Sequence, residues 1–178
     1  MSQLETKRSI LSRLLDCFPG YFGKFISLHF APYLNERVAT DEQQDAFETI
    51  IDFLGGVNIV IPDDLKEYLD DAAKTIDLVD VSKKAAASVA AAIQDPEQYL
   101  KDNSEMFERD KEVKASDAYK NTPGYRLQEL FAQLNRENGY NDVFIPAMRR
   151  LSSSNREYYE KLLKANEVFL KSYRRVRF

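Results

Sequence analysis

Residues 154–178 read SNREYYEKLLKANEVFLKSYRRVRF, and the spacing of their apolar side chains decides the fold class. One row steps by four and three through Tyr158, Leu162, Ala165, Phe169, Ser172 and Val176. A second runs through Tyr159, Leu163, Asn166, Leu170 and Tyr173. Adjacent rows of this period make one wide apolar helix face, of a width that is buried against several neighbours. Ser154 and Glu157 have the spacing of a capping box, which sets the expected start of the helix. The rest of the chain is expected to gather other helices around this one.

Those helices announce themselves by their ends. Ser2 and Glu5 form a capping box ahead of Leu4, Leu11, Leu14, Leu15 and Phe18, and Pro19-Gly20 stops that helix. Phe22, Phe25, Ile26, His29, Phe30 and Tyr33 follow at helical spacing, with Pro32 expected at the end of the stripe. Thr40 to Gln43 is another start signal, its acids suited to the helix dipole, and Gly55-Gly56 stops a helix built on Phe47, Ile50, Ile51 and Leu54. Val57–Ile61 is too brief to suggest a sheet. Pro62 opens an acidic helix to about Thr75. Residues 82–94 hold Ala85, Ala86, Ala87, Ala90, Ala91 and Ala92, strong helix formers whose small side chains predict a tightly packed inner helix. Asp95-Pro96 and Thr122-Pro123 open two more helices, and Asn138-Gly139 closes the second. Residues 143–145 are expected to be extended, because Pro146 disfavours helix before it.

Together these signals predict an all-α fold, a single compact irregular bundle of about six to nine helices, with the C-terminal and alanine-rich helices inside. One domain over residues 1–178 is expected, with residues 101–121 as an exposed connector where charge rises and apolar content falls. A chain of 178 residues buries roughly 70% of its unfolded surface and needs no staple. Its one cysteine, Cys17, allows no intramolecular disulfide. The N-terminus lacks the pattern of a secretory signal, and no apolar run approaches a membrane span, so the expected location is the cytoplasm, or the exterior by a route without a cleaved signal.

Chemistry leaves few marks. With one His and one Cys, a conventional histidine-bearing metal site is excluded. Asp63, Glu67, Asp70 and Asp71 share a helix face, but they fit a solvated face better than a magnesium or calcium site, and no cofactor is expected. Cys17 and His29 carry no signature of a nucleophile and base. Phosphate-binding glycine loops and the nucleophile elbow are absent.

Charge is more informative. From Val113 onward the chain has 13 basic and 7 acidic residues, a net +6, against 12 and 22 before it, a net −10. Between Asp41 and Asp77 eleven carboxylates face only Lys66 and Lys74. Gathered on a surface, they would steer a basic protein partner. The first functional expectation is therefore a non-enzymatic protein–protein interaction module, of neutralising (immunity-like) or adaptor type. Its partner-binding residues would be Asp63, Asp64, Glu67, Asp70 and Asp71, with the opposite pole at Arg174, Arg175 and Arg177. Two alternatives stand beside it. One is a hydrolytic or effector-like enzyme working through carboxylates. The other is nucleic-acid binding through the basic C-terminal helix, which the acidic pI of 5.2 disfavours. A homo-oligomer is compatible with the opposed charges.

Overall fold

In the computed structural model, residues 2–18, 20–57 and 59–175 are described, 173–175 by backbone alone. Eleven α-helices appear among them, and no strand. They are α1 (Gln3–Cys17), α2 (Tyr21–Phe30), α3 (Asp41–Gly56), α4 (Asp63–Thr75), α5 (Leu78–Gln94), α6 (Pro96–Asp102), α7 (Ser104–Ala115), α8 (Asp117–Lys120), α9 (Pro123–Asn138), α10 (Ile145–Leu151) and α11 (Ser153–Arg175). A 3-10 turn, Ala31–Tyr33, extends α2, and a π turn, Tyr140–Phe144, leads into α10. The all-α class stands, and the helix count exceeds the six to nine expected. The excess lies mostly in residues 101–121, which fold into the end of α6, then α7 and α8, with Asn103 and Ser116 at the joints.

The start signals act as their chemistry requires. Ser2 and Thr40 both form complete capping boxes, with Glu5 and Gln43 reaching back to the cap. Asp95 and Thr122 each accept the third backbone amide of the helix that follows and have proline as its first residue. Gly139 adopts φ 72°, the left-handed cap that only glycine takes without strain, and its amide closes α9 on the Asn135 carbonyl. Gly23 serves a different purpose. A Cβ there would collide with the carbonyl oxygen of Phe18, so this glycine lets α2 fold back against the end of α1.

The core sits between α1, α2, α3 and α10. Ile10, Leu14, Phe30, Ile50, Leu54, Phe144 and Met148 are almost completely buried. Phe30 meets Phe144 edge-on at 5.2 Å, and Phe53 and Tyr140 meet the same ring at 5.4 and 5.3 Å. The extended segment expected at residues 143–145 is instead helical. The π turn carries the chain to Ile145, and Pro146 sits in the first turn of α10, where its missing amide proton is not needed.

Two further expectations are corrected by packing. The face of α11 that turns inward is narrower than two full rows: Ala165 is buried and Tyr158, Leu162 and Phe169 are half-buried, whereas in the other row Tyr159 packs against the core but Leu163 and Leu170 are 49% and 50% exposed. The alanine-rich helix α5 has no buried residue. Its alanines give good local helix propensity but little area with which to pull the helix inward. From Asp70 to Gln133 no residue is buried at all. The outer helices α5 to α8 lean on α2, α9, α11 and one another, outside the core.

The start of α11 is fixed from across the chain, not by the box at Ser154 and Glu157. Ser152 caps it, its Oγ accepting from the Asn155 amide at 3.2 Å. Glu36, in the segment after α2, then accepts from the amides of Ser153 and Ser154 at 3.0 and 2.9 Å and from the hydroxyls of Ser152, Ser153 and Ser154 at 2.9–3.0 Å. Burial by itself raises the Glu36 pKa. The hydrogen bonds from Ser154, Ser153 and Ser152 outweigh it and hold the carboxyl at about 2, against an ordinary 4.5. Glu157 instead pairs with Lys161 one turn on, at 2.9 Å.

Candidate functional site

A wide concavity follows from the outer position of α5. A groove of about 970 Å³ runs between α2, α5 and α11. Phe25, Leu28, His29, Pro32 and Tyr33 form one wall. Val79, Ala85, Ala86, Val89, Ala90 and Ile93 form the other, and Tyr158 and Lys161 of α11 reach it as well. Along α5 the lining extends from Val79 to Gln94, about 22 Å at 1.5 Å per residue. The alanine face is too shallow to fill the space in front of α2, and so the gap stays open. A second apolar cavity, between Phe18, Phe22, Ile61 and Phe131, holds about 20 Å³, no more than a water-sized void.

His29 anchors the α2 wall. Its ring packs against Phe30, Tyr158 and Tyr33 with centroids 4.8, 5.9 and 6.1 Å away. Burial lowers its pKa, so the imidazole is neutral at pH 7. Tyr33 and Tyr158 pack at 5.4 Å, and burial first, then the neighbouring tyrosines, pushes the Tyr33 phenol up to about 12. These rings form an apolar wall with polar tips. The charged residues of the lining are Lys83 and Lys161, and it contains no carboxylate. Lys161 is engaged by Glu157, whereas Lys83 makes no ion pair or hydrogen bond among the described residues.

The acidic residues singled out by sequence lie elsewhere. Asp63, Asp64, Glu67, Asp70 and Asp71 are all exposed on α4. Asp64 accepts two hydrogen bonds from the Arg126 guanidinium, at 2.6 and 3.1 Å, tying α4 to α9. That hydrogen bonding, followed by the charge of Arg126, lowers the Asp64 pKa. Asp63 and Asp71 pair within the helix with Lys66 and Lys74, and Glu67 pairs with nothing among the described residues. The more open acidic row is on α3. Asp41, Asp45, Glu48 and Asp52 stand at helical spacing on its solvent side, all exposed, with no ion pair among the described residues. Arg177 and the side chains of Arg174 and Arg175 lie outside the described residues.

Cys17 and His29 are not hydrogen-bonded to each other. The Cys17 thiol donates to the Leu54 carbonyl at 2.7 Å, and burial, reinforced by Asp16, raises its pKa. Among the described residues no three His, Cys, Asp or Glu side chains gather in a way that could hold a metal ion. None of the described helices is long and apolar enough to cross a membrane.

Sequence reasoning named His29 and the alanine run but did not join them into one groove. The signal was present. Val79, Ala86, Val89, Ala90 and Ile93 share one face of α5, and a face that small leaves space beside any large-residue neighbour. No family model, no curated protein and no solved structure matches the chain.

Proposed function

We propose that the chain is a non-enzymatic protein–protein interaction module that receives its partner in the groove between α2, α5 and α11. A neutralising or adaptor role belongs to this class. The observation that carries the reading is the groove itself: about 970 Å³ of largely apolar space, open to solvent, walled on one side by a helix with no buried residue. Exposed concave apolar surface of this extent marks interaction sites more often than ordinary solvent surface. The lining supplies no carboxylate or thiol for acid–base or nucleophilic work.

The test compares the wild-type chain with Ala90→Trp, which fills the groove from an exposed position, in affinity capture from the source cell. A partner held in stoichiometric amount by the wild type and lost with the variant is the expected outcome. If the two chains retain the same proteins, the groove is not the docking site. Circular dichroism confirms that the variant is folded.

A second reading places the contact on the acidic side, for a basic partner. The α3 row of Asp41, Asp45, Glu48 and Asp52 supports it, being exposed and without ion pairs among the described residues. Together with Glu67 and Asp70 of α4 it would speed association of a positively charged protein at low salt. The same capture with Asp45, Glu48, Asp52, Glu67 and Asp70 reversed to Lys distinguishes the two surfaces: only the acidic-side reading predicts loss of binding.

A further inference from the structure

We propose that the occupant of the groove is an amphipathic α-helix carrying acidic residues beside its apolar stripe, a partner chemistry that rests on reading the groove as a docking site. Shape argues for a helix. The lining follows α5 over several turns and includes the exposed Lys83, Ala86 and Ala90, whereas pockets for small molecules enclose most of the ligand surface. Its length of about 22 Å along α5 matches about four turns of a docked helix. Helix-in-groove recognition uses such a groove to take anchors at i, i+3, i+4 and i+7.

The two walls suit that occupant in different ways. Ala86 and Ala90 present single methyl groups, so a helix axis can come to within the close end of the usual 8–10 Å spacing. Opposite them, Phe25 and Leu28 are only half-buried, so part of each side chain remains available to an entering apolar residue.

Charge sets the flanks. The charged residues lining the groove, Lys83 on α5 and Lys161 on α11, are both positive. Lys83 has no ion-pair or hydrogen-bond partner among the described residues, and the Glu157 that pairs with Lys161 is exposed, so a carboxylate from outside can share or replace it. A helix with Glu or Asp flanking its stripe meets both lysines at the rim. One with Lys or Arg there meets like charge, and that is a penalty on the wrong partner.

The test is selection from a displayed library of 18-residue helices with a fixed leucine stripe at i, i+3, i+4 and i+7. Flanking positions are randomised among Glu, Gln and Lys. Recovered helices should favour Glu over Lys at the flanks and bind about tenfold more tightly than their Lys counterparts at low salt. The Lys83→Glu, Lys161→Glu double variant should reverse that preference, and Ala90→Trp should abolish recovery. Recovery that depends on the groove but shows no acidic preference overturns the proposed partner chemistry and leaves the docking function standing. No recovery above the Ala90→Trp background overturns both, as does a groove that takes up a fluorescent fatty acid and rejects every helix.

Discussion

Helices α3 and α5 are nearly the same length, 16 and 17 residues, and fare very differently. α3 buries Ala46, Phe47, Ile50 and Leu54 against α1 and α10, while α5 has residues that are at most half-buried. Both have a clear N-cap, Thr40 in one and Asp77 in the other. Local signals therefore make each a helix, and side-chain size decides which becomes core. A leucine or phenylalanine fully buried contributes about 1.5–3 kcal/mol, and a single methyl far less. Helices that settle on the outside with little buried area are free to open, close and accept another surface.

Hydrogen exchange gives the widest expected separation between these regions. Amides of α3 and α10 should exchange only through global unfolding, with a free energy on the scale of about 5–15 kcal/mol for the whole protein. Those of α5 to α8 should exchange through local opening, orders of magnitude faster. Equal protection in α5 and α3 would break the division into a core and an outer layer.

Truncation comes next in size. Phe144→Ala removes a ring packed by Phe30, Phe53 and Tyr140 and should lose about 3–5 kcal/mol in denaturant unfolding. Val89→Ala, in the half-buried face of α5, should lose less than about 1 kcal/mol. Similar losses at the two sites would mean that the outer layer shares the cooperative core.

Smaller still is the clasp at the start of α11. Glu36→Ala leaves the Ser153 and Ser154 amides without their carboxylate, at an expected cost of about 1–2 kcal/mol once solvent screening of a half-buried group is allowed for. Because the folded carboxyl has the lower pKa, its stabilisation is complete above the unfolded value of 4.5 and is lost as pH falls towards about 2. Stability of the wild type measured from pH 6 to pH 2.5 should therefore fall more steeply than that of the variant. Parallel curves would show that Glu36 does not stabilise the folded state through this clasp.

Much of the secondary structure could be read in advance because it depends on neighbours in sequence. Thr40 with Gln43, Asp95 with Gln98 and Asn138-Gly139 lie within a turn of the groups they satisfy. The misreadings have the opposite character. Pro146 does disfavour the residue before it, but the π turn and the burial of Phe144 and Ile145 override that local preference. At α11, the local box of Ser154 and Glu157 yields to Glu36, more than a hundred residues away in sequence. For the groove, Ala86 and His29 were visible as separate features, and only packing sets them opposite each other.

By itself the sequence determined that this protein is all-helical, where most of its helices begin and end, and that acidic and basic residues divide between its two portions. Caps, apolar period and charge act over a few residues, so order along the chain is enough to specify them. The tertiary structure alone decided that the alanine-rich helix lies outside, that Leu163 and Leu170 of α11 face solvent, that Glu36 caps α11 and that an apolar groove opens between α2 and α5. Each of these depends on how much volume two distant segments bring to the same place, and side chains filling that space are neighbours only in the folded chain.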